Sequence, residues 1–251
     1  MKNGIITAGI SLALLSVSFT MAGDAGIDQG FLTKHSFKYG TRISSSELNF
    51  NPDGTYTYEY GSEGMNWYNR GSYTVTSDAV LLKPDFCSTH REGAAGDCGE
   101  TMGEASCSIQ AKPNDLYYSN YFICSSKKNK NAVSVNVASM PFPVEHSKVK
   151  SGTARIYKGI PVVTTGPAKG ITTTNVRIRE KPSINSKSLD YVKNPYETDA
   201  VFESVPVNTE VMVIARTRDK DRVQSWNNYW YLVSTGFNTE VWMFGEFVKI
   251  K

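Results

Sequence analysis

The residues whose types could do chemistry are four cysteines, Cys87, Cys98, Cys107 and Cys124, and three histidines, His35, His90 and His146. Cys87-x-x-His90 with Cys98 beyond it has the makings of a zinc site, but a single nearby histidine is a poor complement and thiols of an exported chain oxidise. Two disulfides are therefore expected. Spacing leaves all three pairings open; the favoured one joins Cys87 to Cys124 across neighbouring strands and closes the loop between them with Cys98–Cys107. Each bridge would contribute about 2–4 kcal/mol, mainly by restricting the unfolded chain. Hydrolysis would need a nucleophile beside a base, a carboxylate pair in a cleft, or a metal with three ligands. None of these is visible, and His35 and His146 stand in polar terminal or linker stretches. Nor is there a glycine-rich phosphate loop or an interleaving of basic and aromatic residues suited to nucleic acid. The reading is a non-enzymatic chain with no metal and no cofactor.

The ends and the charge place it. Lys2 precedes an uncharged apolar stretch from Ile5 to Phe19 that closes on Thr20-Met21-Ala22. A spanning helix needs about 20 apolar residues, so residues 1–22 read as a cleaved signal peptide. No cysteine stands near the cleavage point to carry a lipid. The expected location is periplasmic or secreted, with no stable membrane span after cleavage. A formal charge of +3 over 251 residues is too small to argue for nucleic acid as a partner. It is unevenly spread: residues 23–150 carry 12 basic and 14 acidic groups, and residues 151–251 carry 14 and 10.

The elements that must position these residues are strands. Ser46 to Tyr60 sets Asn51-Pro52-Asp53-Gly54 between two alternating runs, a hairpin signature, and Gly71 to Leu82 repeats the arrangement about Ser77-Asp78. Leu116 to Ser125 and Ala132 to Ala138 alternate again, with Lys127 to Lys130 as the expected turn. Between Lys83 and Pro113 no period persists, which predicts a long loop stapled by cysteines. The first two hairpins are similar to strand pairs of small lipocalin-like bacterial domains, a likeness too short to imply a ligand cavity. Ala154 to Val163 is apolar enough to return to this first domain as its last strand. The expected organisation is mainly β: a disulfide-stapled antiparallel β-domain over 23–165 and a second domain over 166–251, divided near Gly166-Pro167.

Four segments carry a stronger likeness. Val176-Arg177-Ile178-Arg179-Glu180-Lys181-Pro182-Ser183, then Val205 to Ile214, Asn228 to Val233 and Val241 to Val248, follow one another in the order and spacing of the bacterial SH3-like family. The second part of the chain resembles that family, and the resemblance implies a small SH3-like β-barrel with Arg179 as the family arginine. Asn208 replaces a usual glycine, a mild departure because Asn tolerates positive φ. Alternation places Val211, Val213, Tyr231, Val233, Trp242, Phe244 and Val248 inside the barrel, and Trp230 and Trp242 read as packing residues. Such barrels often accompany papain-like peptidases, but the first domain lacks the helix that carries their nucleophile. The resemblance implies a binding module for cell-wall peptidoglycan peptides or an envelope protein. Its expected contact residues are on loops: Tyr191, Tyr196, Arg218, Arg222, Trp226 and Tyr229. The alternative is a small-ligand carrier in the first domain, tethered by the barrel.

Overall fold

Asn51 to Gly54 does turn the chain, with Gly54 at φ 83° and Asp53 accepting from the Thr55 amide at 2.9 Å. In this computed structural model, which describes residues 27–40, 44–62, 64–88, 103–126, 140–194 and 200–251, that turn is one of a series. It links β2 (Ser44–Phe50) to β3 (Thr55–Ser62); β1 (Phe37–Gly40) precedes them, and β4 (Met65–Val75), β5 (Val80–Ser88), β6 (Ala105–Ala111), β7 (Asn120–Ser126) and β8 (Met140–Pro143) follow. Each pairs antiparallel with the next, and the sheet curls into a nearly closed barrel with β8 beside β1. The expected export signal, His90, Cys98, the expected turn at Lys127 to Lys130, the strand expected at Ala132 to Ala138 and Tyr196 lie outside the described residues.

Leu48, Phe50, Tyr56, Tyr58, Phe122 and Phe142 form the core of the barrel, and on β2 and β3 their sequence neighbours are half-buried or exposed, the period-two pattern of a strand with one face inside. One end is closed by a short helix, α1 (Gln29–Lys34), capped by Asp28 through a 2.6 Å bond from the Phe31 amide, which delivers Leu32 to that core.

The favoured disulfide pairing is corrected. Cys107 and Cys124 are directly opposite partners on β6 and β7 and are bonded to each other, and Cys87 is itself disulfide-bonded, so its thiolate is no metal ligand. The expected loop between Lys83 and Pro113 also contains strand, because β5 runs to Ser88 and β6 begins at Ala105. Ala105 and Cys107 are buried and Ser106 and Ser108 half-buried. These small residues alternate too weakly in hydrophobicity to announce a strand.

The segment Ala154 to Val163 belongs to a second sheet instead of the first. β9 (Ala154–Tyr157) folds back on β10 (Ile160–Thr172), and β10 pairs on with β15 (Glu210–Thr217). The expected division between residues 165 and 166 therefore falls inside a strand, at the bulge where register shifts between Thr164 and Ala168. Across the sheet β15 meets β18 (Trp230–Thr235), then β19 (Asn238–Phe244), β11 (Ile178–Arg179) and β12 (Ser188–Leu189), while β20 (Val248–Ile250) adds to the far half of β10. Two ribbons stand beside it: β13 (Tyr191–Val192) with β14 (Val201–Phe202), and β16 (Asp221–Val223) with β17 (Trp226–Asn228). Asn208 sits at φ 63°, the conformation its glycine-like position demands.

The expected single interior divides between two faces. Val211, Val213, Val233 and Val248 pack together with Ile178 and Met243, with half-buried Tyr231 against them. Trp242 and Phe244 join Trp230, Leu232 and Ile214 on the opposite face. Bulges between Val213 and Ala215 and between Val233 and Thr235 shift the alternation. The second face is covered in part by the chain linking β6 to β7: Leu116 is buried there, and Arg155 donates to Ser119 Oγ at 2.9 Å.

In the first barrel, β5 bulges against β4 between Arg70 and Gly71, so close that a Cβ on Gly71 would lie 2.0 Å from the Lys83 carbonyl oxygen. Gly71→Ala must push two backbones apart and should cost about 3 kcal/mol or more, since overpacking alone costs 1–3. Chemical denaturation measures it; an unchanged midpoint would mean that β5 does not approach β4 in this way.

Candidate functional site

The hairpin β16–β17 arches beside the segment that enters β11, and a cleft of about 300 Å³ lies between them. Trp230 and Phe244, both buried, form its floor. Trp226 and Phe247 meet edge to face at 5.2 Å and form one wall. Arg177, Arg179 and Ile184 line the opposite side.

Local sequence explains each position. Val176 and Ile178 point into the sheet's inner core, so the alternate residues Arg177 and Arg179 leave on the other face, where Arg179 is the direct partner of Trp242. Arg179 Nη1 donates to the Ser186 carbonyl at 2.7 Å, which holds the guanidinium in place. Arg177 has only a 3.6 Å contact with the strongly exposed Glu203, a pairing worth little in water. Trp230 is fixed by its indole N–H, which donates to Asp221 at 3.0 Å on the arching hairpin. Val223, opposite Trp226 in the hairpin, is buried and anchors it. Gln224 makes the turn with φ 54°.

The six expected contact residues do not converge. Trp226 lines the cleft. Arg218 and Arg222 are exposed near or on the hairpin but do not line it; Arg218 pairs with its neighbour Asp219 at 3.1 Å. Tyr229 is half-buried beneath the Arg216 guanidinium, 3.9 Å from its ring centroid, with the Lys220 ammonium at 5.5 Å. Tyr191, expected on an exposed loop, is 5% exposed. Its ring stacks on Phe202 across β13–β14 and lies where a Cβ on Gly236 would come within 2.9 Å, so it is a packing residue. Tyr196 lies outside the described residues.

Missed were Arg177, Ile184 and Phe247. Arg177 was readable, since it is the polar step between two inward residues. Phe247 sits in the single 3-10 turn Gly245–Phe247 before β20, where period two gives no orientation.

Comparison of the chain with protein-family models, with curated proteins and with solved structures finds no match. Among the described residues no helix is long and apolar enough to cross a membrane.

Behind the cleft, the same face is sealed by a polar cluster. Tyr157 donates its phenol proton to Glu240 at 2.6 Å, and Lys158 lies 3.8 Å from the same oxygen. Tyr117, on the chain from the first barrel, is held neutral up to about 12, chiefly by burial and then by the carboxylates of Glu240 and Asp115, against an ordinary value of 10.0. The unfolded chain loses this proton first, so the contribution of Tyr117 to stability is level below pH 10 and is lost as pH rises from 10 toward 12. Burial raises the phenols of Tyr157 and Tyr121 as well, so they add to the slope. Tyr117→Phe should make the alkaline decline shallower, followed as denaturation midpoint against pH. A wild-type slope in the variant would show that Tyr117 is not buried against the second sheet.

Proposed function

We propose that this chain is an exported, non-catalytic binding protein that recognises cell-wall peptide through the cleft between β16–β17 and β11. The single observation that carries the reading is the composition of that cleft: four aromatic side chains facing two guanidinium groups, with Arg177 only loosely engaged. Aromatic walls exclude water and give contact area with little entropy loss on binding, and a guanidinium pairs with a carboxylate in bidentate fashion. A peptide carrying free carboxylates and short aliphatic side chains meets both demands, and cell-wall stem peptides have that chemistry. The likeness of Val176–Ser183, Asn228–Val233 and Val241–Val248 to SH3-like segments supports the same reading, as does the reading of residues 1–22 as a signal peptide. The carrier alternative loses support, because the described interior of the first barrel is occupied by packed aromatic rings.

Co-sedimentation of the full mature chain with purified cell-wall sacculi tests this. Wild type should be retained, and Trp226→Ala and Arg177→Ala should each weaken retention by about tenfold, as loss of a buried anchor or a charge-assisted pair does. Retention equal to wild type in both variants, or no retention of wild type, would sink the proposal. Retention only when envelope proteins are left on the sacculi would transfer it to a protein ligand.

A further inference from the structure

The outer face of the first barrel carries a second concave surface, built from other strands. Two dents of about 340 and 520 Å³ adjoin on β3, β4 and β5 and share Thr57, Arg70 and Phe86. The bulge over Gly71 underlies them. It leaves Asp85 as the extra residue of β5, between the pairs Arg70–Phe86 and Gly71–Pro84, with its side chain exposed on the wall of the larger dent. Bulges re-aim side chains in this way beside functional sites.

The side chains here have little to do within the protein. Arg70 lies 4.8 Å from the centroid of the Phe86 ring, and among the described residues neither it nor the side chains of Thr57 and Asp85 make a hydrogen bond or ion pair, Asp85 acting only at a distance on the Tyr56 phenol. The contrast is Glu47, farther along the same face. It accepts from Asn49, Lys38 and Ser36 at 3.1, 3.1 and 3.2 Å, and those bonds hold its carboxyl below the usual range. Glu47 serves the fold; Thr57, Arg70 and Asp85 are left to solvent or to a ligand.

We infer that this face binds a neutral oligosaccharide. A sugar ring needs donors and acceptors for its hydroxyl groups and a flat apolar surface for its C–H face. Arg70 supplies several donors, Asp85 supplies acceptors, Thr57 does both, and Phe86 is the ring. Among the described residues Arg70 is the one cation lining the dents and is set against Asp85 and Glu59, so the surface has no positive field to draw a polyanion. Two adjoining dents give length for more than one sugar unit, and their volumes fall in the range of ligand sites. The site shares no strand with the peptide cleft, so either can fail alone.

The test is calorimetric titration of the intact mature protein with tetrasaccharides of N-acetylglucosamine and of glucose, with polyglutamate as the anionic comparison. Saturable binding of at least one tetrasaccharide is expected. Arg70→Ala, an exposed change that spares the core, and Phe86→Ala should each weaken it by about tenfold, while Trp226→Ala leaves it unchanged. Binding of neither tetrasaccharide, binding indifferent to Arg70→Ala, or Arg70-dependent binding of polyglutamate alone would each overturn the inference.

Discussion

The strands β15, β18 and β19 must be kept from water on both faces, and most of the second half of the chain is arranged to do so. One face is closed by residues of its own sheet, Val211, Val213, Val233 and Met243 with Ile178 and Val248. The other carries Trp230, Leu232, Trp242 and Phe244, a larger apolar surface than one sheet can fold upon itself. Burying each such side chain is worth about 1.5–3 kcal/mol, so leaving that face open would cost more than a domain of this size has to spare. Three separate pieces cover it: the β9 return with Tyr157, the β16–β17 hairpin with Val223, and Leu116 with Tyr117 from the first barrel. The cleft lies where the hairpin's cover ends.

Covering an apolar face with a chain that carries phenols and a carboxylate has an electrostatic consequence. Glu240 is approached by the Tyr157 hydroxyl and the Lys158 ammonium, so its charge is met by a donor and a cation. The backbone is met as well: the Val149 amide donates to the Tyr117 carbonyl at 2.7 Å and the Ser119 amide to the Ser147 carbonyl at 2.8 Å. The link between β6 and β7 is thereby paired along its length with Ser147 to Val149, which leaves Leu116 and Tyr117 to pack on the second sheet.

Period two made much of this legible. Asn51 to Gly54, the Ser77-Asp78 turn, the positive φ of Asn208 and the burial of both Trp230 and Trp242 follow from local chemistry and were readable. Alternation says which residues share a face, but not whether a face is inside or outside, and where both faces are buried it gives no contrast to read. Alternation alone therefore puts Trp242 and Phe244 in the interior they in fact oppose, and Tyr191, polar at its tip and set among loop residues, reads as a surface group although it is buried. The favoured disulfide pairing differs from the observed one for a related reason. Cys107 and Cys124 are neighbours only because β6 exists, and β6 is written in small residues whose alternation is faint. The cleft was half legible, Trp226 by its place in a hairpin and Arg179 by resemblance, while Phe247 depended on a 3-10 turn.

The two concave surfaces share a physical device. In each, a cationic group is braced by one neighbour that consumes little of its bonding capacity: among the described residues Arg179 gives one bond, to the Ser186 carbonyl, and Arg70 rests against the Phe86 ring and gives none. Bracing lowers the entropy lost when such a side chain engages a ligand, and the unspent donors are what a ligand would use. A rigid strand holding a braced, charged donor beside an aromatic ring can orient and retain a partner.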